Sequence, residues 1–432
     1  MIIRRKVPAR SARSARSARR RDPARAGGRA GGRGLAVAAL LLVAFNLRPA
    51  VTSLGPVLAE ARSALGMSGA AAGLLTSVPA LCFALVGVAA PRLSRRYGPS
   101  AVVAAGTAVV AVGLVLRPLA GGTLLFLALS ALALAGIAVA NVLLPVVVKQ
   151  RFPDQVGRMT GLYSMALNLG AAVAAAATVP LSGAFGGQWR WGLGAWGVVA
   201  ALAVPPWIVL ARLRTADRPP RNASGPGPAP APPPGPASGP GPGAGMTRSP
   251  TAWALAAYFG LQAGAAYVVI GWLPQMYRDA GLPAGRAGLL FAVTSLLGVP
   301  LSFALSALAG RLRRQSGIAV ALGVFGLAGY AGLWAAPAAA PWMWAVLLGV
   351  ANCSFPLALT MIGLRGRNSA TVVRLSAFAQ STGYLLSIPV PFLVGALYER
   401  TDGWRIPLVF LAVLMVAQLA AGVLAGRDRS VG

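Results

Sequence analysis

The chain is 432 residues long with 56% hydrophobic and 11% charged residues, and its mean hydropathy of +0.69 excludes an ordinary soluble domain. Its 39 basic against 8 acidic residues give a net charge of +31, but the basic residues sit in an N-terminal tail and in short loops between apolar runs, a topology signal rather than a nucleic-acid footprint. Histidine is absent, and Cys82 and Cys353 each lie inside an apolar run, which excludes a disulfide framework and a Cys/His metal site.

Residues 1–33 form an arginine-rich tail carrying the repeat Ser11-Ala12-Arg13, Ser14-Ala15-Arg16, Ser17-Ala18-Arg19. With almost nothing to bury it is expected to be disordered, and to bind anionic lipid headgroups. No aromatic residues are interleaved for base stacking, so nucleic acid is not an expected partner. The run from Gly34 to Leu58 is long enough to cross a bilayer, which takes about 20 residues at about 1.5 Å each. Arg48 lies inside that run and Pro49 follows it. A guanidinium at that depth needs a counter-charge, a watery cavity or an anionic ligand, and the proline removes an N–H and frees carbonyls at the same level. Further apolar runs follow at 70–90, 100–117, 122–148, 158–181 and 191–211, completing an N-terminal bundle over 34–211. Residues 212–250, including Pro232-Pro233-Pro234, read as a solvated linker. Six more runs, at 251–276, 287–309, 317–336, 341–364, 372–397 and 404–425, form a second bundle over 251–426, and residues 427–432 are the C-terminal end.

Lysine and arginine bias gives the orientation. With the N-terminus cytoplasmic, the outer loops hold Arg62, Arg117, Arg190, Arg278, Arg286, Arg400 and Arg405, Arg48 and Arg374 fall within helices, and every other basic residue is on the inner side. Both termini and the linker are therefore expected in the cytoplasm, and the protein in the plasma membrane as a monomer.

The halves repeat each other. Ala140-Asn141 with Pro145 matches Ala351-Asn352 with Pro356, and Arg92-Leu93-Ser94-Arg95 with Gly98 matches Arg311-Leu312-Arg313-Arg314 with Gly317. A weaker match sets Arg158 against Arg374, which reads Arg374 as a snorkelling end residue rather than a ligand group. Parallel repeats of six spans are the plan of the major facilitator fold, an all-α membrane protein of twelve helices with its solute near the midplane between halves.

Asn46-Leu47-Arg48-Pro49-Ala50-Val51-Thr52-Ser53 with Gly55-Pro56, then Gly73-Leu74-Leu75-Thr76-Ser77, resembles the opening of the cyanate and nitroimidazole transporter family within that superfamily. Asn141-Val142-Leu143-Leu144-Pro145, Met159-Thr160-Gly161-Leu162-Tyr163-Ser164, Gly260-Leu261-Gln262 with Trp272-Leu273-Pro274, and Ala377-Phe378-Ala379-Gln380-Ser381 with Gly383-Tyr384 extend the resemblance over nearly the whole chain outside the tail and linker. It implies a twelve-helix secondary transporter of small, often anionic solutes. The loops around Arg92, Arg95, Arg96, Gly98, Arg311 and Arg314 correspond to the superfamily's cytoplasmic gating loops, although the first lacks the usual Asp.

The residues themselves outline a site. Thr52 lies one turn beyond Arg48 on one face, and Gly55 a turn further. Gln262 sits at comparable depth, with Trp272 toward the outer end of its helix. Gln380, Tyr384 and Ser387 share one face of the eleventh span, and Gly161, Ser164 and Asn168 one face of the fifth. With Asn46, Asn141 and Asn352 they form the candidate substrate-binding set: Arg48 supplies charge and a planar fork of donors, and the amides and hydroxyls orient the solute. For Asn141, Asn168 and Asn352 a purely interhelical role stays open. Arg48 differs, because the acids Asp22, Glu60, Asp154, Asp217, Asp279, Glu399, Asp402 and Asp428 all fall in the tail, loops or helix ends. Glu60, on the same helix, lies about 18 Å away along the axis. An unpaired cavity arginine favours an anionic substrate over a structural arginine bonding backbone carbonyls.

No titratable relay is visible within the bundle, so uniport, exchange and co-transport by a protonated substrate remain open. Without His, paired carboxylates or a Cys cluster the chain offers no catalytic constellation, and no cofactor is expected. The rival functions are multidrug or nitro-heterocycle efflux and, in a different class, a non-transporting membrane sensor.

Overall fold

Long apolar segments cut by proline and glycine can satisfy their backbone in lipid only as helices, and helices are what form. The computed structural model describes residues 23–152, 155–216, 246–367, 369–429 and 431. Among these are twelve helical segments long and apolar enough to span a bilayer, with short alternating loops. In chain order they are α1 (Arg33–Leu65), α2 (Gly69–Tyr97), α3 (Pro99–Leu119), α4 (Thr123–Arg151), α5 (Val156–Ala184), α6 (Trp189–Arg212), α7 (Pro250–Asp279), α8 (Ala284–Arg311), α9 (Ser316–Ala335), α10 (Pro341–Arg365), α11 (Arg374–Thr401) and α12 (Arg405–Ala425). The end that carries the start of α1 and the close of α12 is called proximal here, and the opposite end distal.

Boundaries depart from expectation at four helix ends. The helix that becomes α1 begins at Pro23 rather than Gly34, because extending a formed helix backward adds a hydrogen bond per residue without a new nucleus, and Arg and Ala accept the conformation. The remainder of the tail, residues 1–22, lies outside the described residues. Helix α2 continues through Tyr97 before Gly98 turns at φ 83°, so Arg92, Arg95 and Arg96 ride on exposed final turns rather than in a loop. Arg311 likewise ends a helix, while Arg314 lies in the turn after it, both exposed. The helix that includes α6 runs on to Ala216, and the linker residues 217–245 lie outside the described residues.

Prolines place the internal breaks. Helices part at Ala203 ahead of Pro205 and Pro206, at Leu297 ahead of Pro300, at Asn352–Cys353 ahead of Pro356, and at Ile388 ahead of Pro389. Each ring would collide with the carbonyl four residues back. The repeat is therefore imperfect: α10 breaks at Asn352, whereas α4 carries Pro145 inside a continuous helix past Asn141. Packing within the halves rests on small residues. A Cβ on Gly136 of α4 would sit 2.4 Å from the Gly106 carbonyl oxygen of α3, a backbone approach that larger residues forbid.

Candidate functional site

The site begins where α1 breaks. The helix stops at Asn46, Leu47 and Arg48 turn, and a short helix Pro49–Thr52 restarts before the 3-10 turn Gly55–Val57 and the helix Leu58–Leu65. Pro49 brings no N–H to the ladder, and Gly170 of α5 packs so closely there that a Cβ would lie 2.0 Å from the Phe45 carbonyl oxygen. The carbonyl of Arg48 is fully engaged, accepting from the Val51 and Thr52 N–H groups, each at 3.0 Å, and from Thr52 Oγ1 at 3.1 Å. The Ala50 carbonyl accepts instead from Arg117 Nη1 at 2.9 Å. A buried side chain from α3 thus holds the break in shape.

Arg48 itself is half-buried and turns toward the second half. Its charge is within electrostatic reach of Tyr267 on α7 and Tyr384 on α11, and its guanidinium makes no hydrogen bond or ion pair among the described residues. Tyr384 stacks on Phe83 of α2 with ring centroids 5.3 Å apart and meets Phe259 edge-on at 5.0 Å. A free cation therefore faces an aromatic wall built from both halves. Phe83, Phe259 and Tyr267 were not singled out in the sequence. Tyr267 lies five residues beyond Gln262, about 140° further round α7, so helical spacing does not group the two.

The other expected residues divide. Gln262 is buried with its Oε1 unpartnered among the described residues, and with Asn352, Tyr330 and Gln418 it lines a small cavity inside the second half. Gln380 donates to Ser376 Oγ at 2.6 Å, and Ser387 to the Tyr384 carbonyl at 2.8 Å. Asn168 donates to the Ser164 carbonyl at 3.0 Å on its own helix and borders Gly298 of α8. Asn141 is half-buried. Asn46 does not join Arg48: two helical positions diverge by about 200°, and its amide bonds to the Leu42 carbonyl at 2.8 Å and the Val199 carbonyl of α6 at 3.4 Å. Thr52 is buried against its own backbone.

Trp272 belongs to a different structure, the distal seam. There Arg278 of α7 forms a two-pronged pair with Glu60, Nη1 to Oε2 at 2.7 Å and Nη2 to Oε1 at 2.8 Å, and also reaches the Pro56 carbonyl at 3.1 Å. Arg62 lies over the rings of Trp272 and Tyr398 at 5.8 and 5.6 Å. Asp279 accepts from Gln275 Nε2, Tyr398 OH and Trp404 Nε1 at 2.6, 2.9 and 2.7 Å. Glu399 accepts from the Ala70 N–H at 3.2 Å, in the first turn of α2, where the helix dipole favours a carboxylate. Under these links α2 and α11 touch backbone to backbone: a Cβ on Gly73 would sit 2.5 Å from the Pro391 oxygen, and one on Gly395 2.2 Å from the Gly69 oxygen. The distal end is closed over Arg48.

A separate arginine hub orders the proximal end of the second half. Arg365 is 4% exposed. It donates to Gln315 Oε1, to the Gly426 carbonyl at 3.0 Å and to the Ala425 carbonyl at 3.3 Å. Arg151, closing α4, makes the matching links to Ser100 Oγ at 3.3 Å and the Leu210 carbonyl at 3.2 Å.

Comparison with known proteins agrees with the twelve-helix fold. The profile of the Major Facilitator Superfamily matches residues 40–386. The uncharacterized transporter YycB of Bacillus subtilis (strain 168) is 35% identical over 91% of this chain and 94% of its own length. The 2-nitroimidazole transporter of Escherichia coli (strain K12) is 32% identical over 91% and 96%, and the cyanate transport protein CynX of the same organism 28% over 87% and 93%. Among solved structures, a bacterial homologue of the human lysosomal transporter Spinster, in an inward-facing and unoccupied conformation, superposes with a TM-score of 0.70 over 91% of this chain and 95% of its own, at 17% identity.

Proposed function

We propose that this chain, which belongs to the Major Facilitator Superfamily, is a secondary transporter that carries a small monoanion of the cyanate type across the plasma membrane by alternating access. The observation that carries the reading is Arg48: a half-buried guanidinium at a helix break, within electrostatic reach of Tyr384 and with no hydrogen-bond or ion-pair partner among the described residues. Arginine stays charged in any protein environment and presents several donors in one plane, so a small anion is the ligand that completes it. In this reading the solute sits between Arg48 and Tyr384. Gln262 and Asn352 are proposed to extend the site into the cavity that they line within the second half, and Gln380, Asn168 and Asn141 to border the path to it.

The lysine and arginine bias supports a cytoplasmic proximal end, with the tail held at anionic headgroups. The closed distal seam is then the outer gate, and opening it as the proximal end closes completes the cycle. Arg92, Arg95, Arg96, Gly98, Arg311 and Arg314 lie at the proximal end, where that closure would occur.

A second reading has an observation of its own. The stacked Phe83 and Tyr384 rings with Phe259 suit a flat heterocycle, and one relative is named a 2-nitroimidazole transporter. A nitro group presents two oxygens to an arginine fork much as a carboxylate does. Uptake and efflux by the purified protein in liposomes, across small monoanions and neutral nitro-heterocycles, separates the two. Movement of a monoanion without the neutral heterocycles supports the first reading, and the reverse supports the second.

A further inference from the structure

The functional reading leaves Arg117 unexplained. It lies at the distal close of α3, 1% exposed, with Nη1 on the Ala50 carbonyl and its guanidinium carbon 5.6 Å from the centre of the Phe126 ring. Among the described residues its Nε and Nη2 have no hydrogen-bond partner, and neither does the hydroxyl of Ser130 on α4, itself 2% exposed. Both side chains line one small cavity, with room for about a single water-sized particle, together with Ala50, Leu54 and Thr76. The ion pairs among the described residues join Arg278 to Glu60 and Arg365 to Asp428, leaving Arg117 without a carboxylate.

A guanidinium does not escape burial by losing its proton. An unpaired buried charge with idle donors is among the costliest arrangements a protein can hold. A water molecule would occupy the donors but leave the charge. The idle polar groups on the cavity wall are the two Arg117 donors and the Ser130 hydroxyl, since Thr76 spends its proton on the Gly73 carbonyl, and the rest of the lining is chiefly apolar carbon, a wall that suits an anion better than a cation.

We propose that Arg117 and Ser130 bind a single halide-sized inorganic anion inside the first half, separate from the transported solute. Arg48 and Arg117 approach the α1 break from different directions, Arg48 facing the second half and Arg117 gripping Ala50 within the first. The bound anion therefore fixes the break that presents Arg48 without entering the transport path. The assignment rests on the Arg117 geometry alone and stands whether or not the chain carries cyanate-like anions.

The test is thermal unfolding of the purified full-length protein in detergent, in sodium chloride or bromide against sodium gluconate at equal ionic strength. A saturable upward shift of the unfolding midpoint is expected with either halide. It should persist in Arg48→Gln, weaken in Ser130→Ala and vanish in Arg117→Gln. If Arg117→Gln cannot be purified, Ser130→Ala carries the decision, since removing one hydroxyl leaves packing nearly intact. Equal midpoints in halide and gluconate, or a halide shift unchanged by Ser130→Ala, would overturn the proposal. So would loss of the shift in Arg48→Gln, which would move the anion to the transport site.

Discussion

Replacing Glu60 by Gln should open the distal seam. The substitution keeps the shape of the side chain and removes the charge that meets Arg278 through two short bonds, 2.7 and 2.8 Å. The pair is only partly shielded, with side-chain exposures of 21% for Arg278 and 37% for Glu60. Its contribution therefore falls between that of a surface pair and a buried bidentate one, about 1–2 kcal/mol. Because the pair joins the two halves, that energy belongs to the distal-closed state alone, and losing it shifts the closed-to-open ratio by about 5- to 30-fold. Nitroxide labels at Ser63 and Arg400, both exposed near the distal end on opposite halves, report the change by pulsed electron spin resonance. The two native cysteines are buried, which favours labelling at the introduced sites. The wild type should give a short distance and Glu60→Gln a growing longer component, with Arg278→Gln adding little to the double variant because one interaction is removed twice. A Glu60→Gln distribution identical to wild type would show that the pair does not hold the seam.

Other substitutions test neighbouring parts. Gly73→Val, whose Cβ would press on the Pro391 oxygen from 2.5 Å, should leave each half folded but abolish transport, with the spin labels held at the longer distance. Trp272→Leu should lengthen the same distance and lower the maximal transport rate while leaving apparent solute affinity within about twofold, because the residue sits in the seam. Gln262→Leu removes an amide whose carbonyl oxygen has no partner among the described residues, so the unfolding midpoint should hold; its NH2 is the group able to donate to an anion, and losing it should lower apparent solute affinity about tenfold. Arg365→Ala, which strips the hub joining Gln315, Ala425 and Gly426 and leaves their acceptors unpaired, should cost about 3 kcal/mol of stability, read as a lowered denaturation midpoint.

The apolar runs located the twelve spans because in lipid the backbone must satisfy itself, and helix is the solution available to a run of that length. Pro49 marked the break in α1 for the same reason, and the inventory of acids foretold that Arg48 would lack a carboxylate. What the residue order left hidden was direction around each helix. Asn46 and Arg48 look like one motif, yet their side chains diverge, one into the first half and the other toward the second. Depth was likewise ambiguous for Trp272, which lies on the cavity helix but beyond the cavity, in the seam. Arg117 reads as an outer-loop residue, and nothing in its neighbours says that it folds back to grip Ala50. That contact pairs residues 67 positions apart, and it exists only once the bundle brings the distal end of α3 to the α1 break. Glu60 and Arg278 were visible as charges near the distal end, but their partnership required the two halves to close.

The central claim is that Arg48 recognises the charge of the solute. Its most direct test compares wild type with Arg48→Gln, reconstituted in liposomes, for movement of cyanate and related monoanions, with the unfolding midpoint as the control for folding. The account predicts that anion movement falls by two orders of magnitude or more in the variant, since about 3 kcal/mol of charge-assisted bonding is lost, while the midpoint stays near that of wild type. Equal anion movement in both proteins would contradict it and leave Arg48 a structural residue of the α1 break.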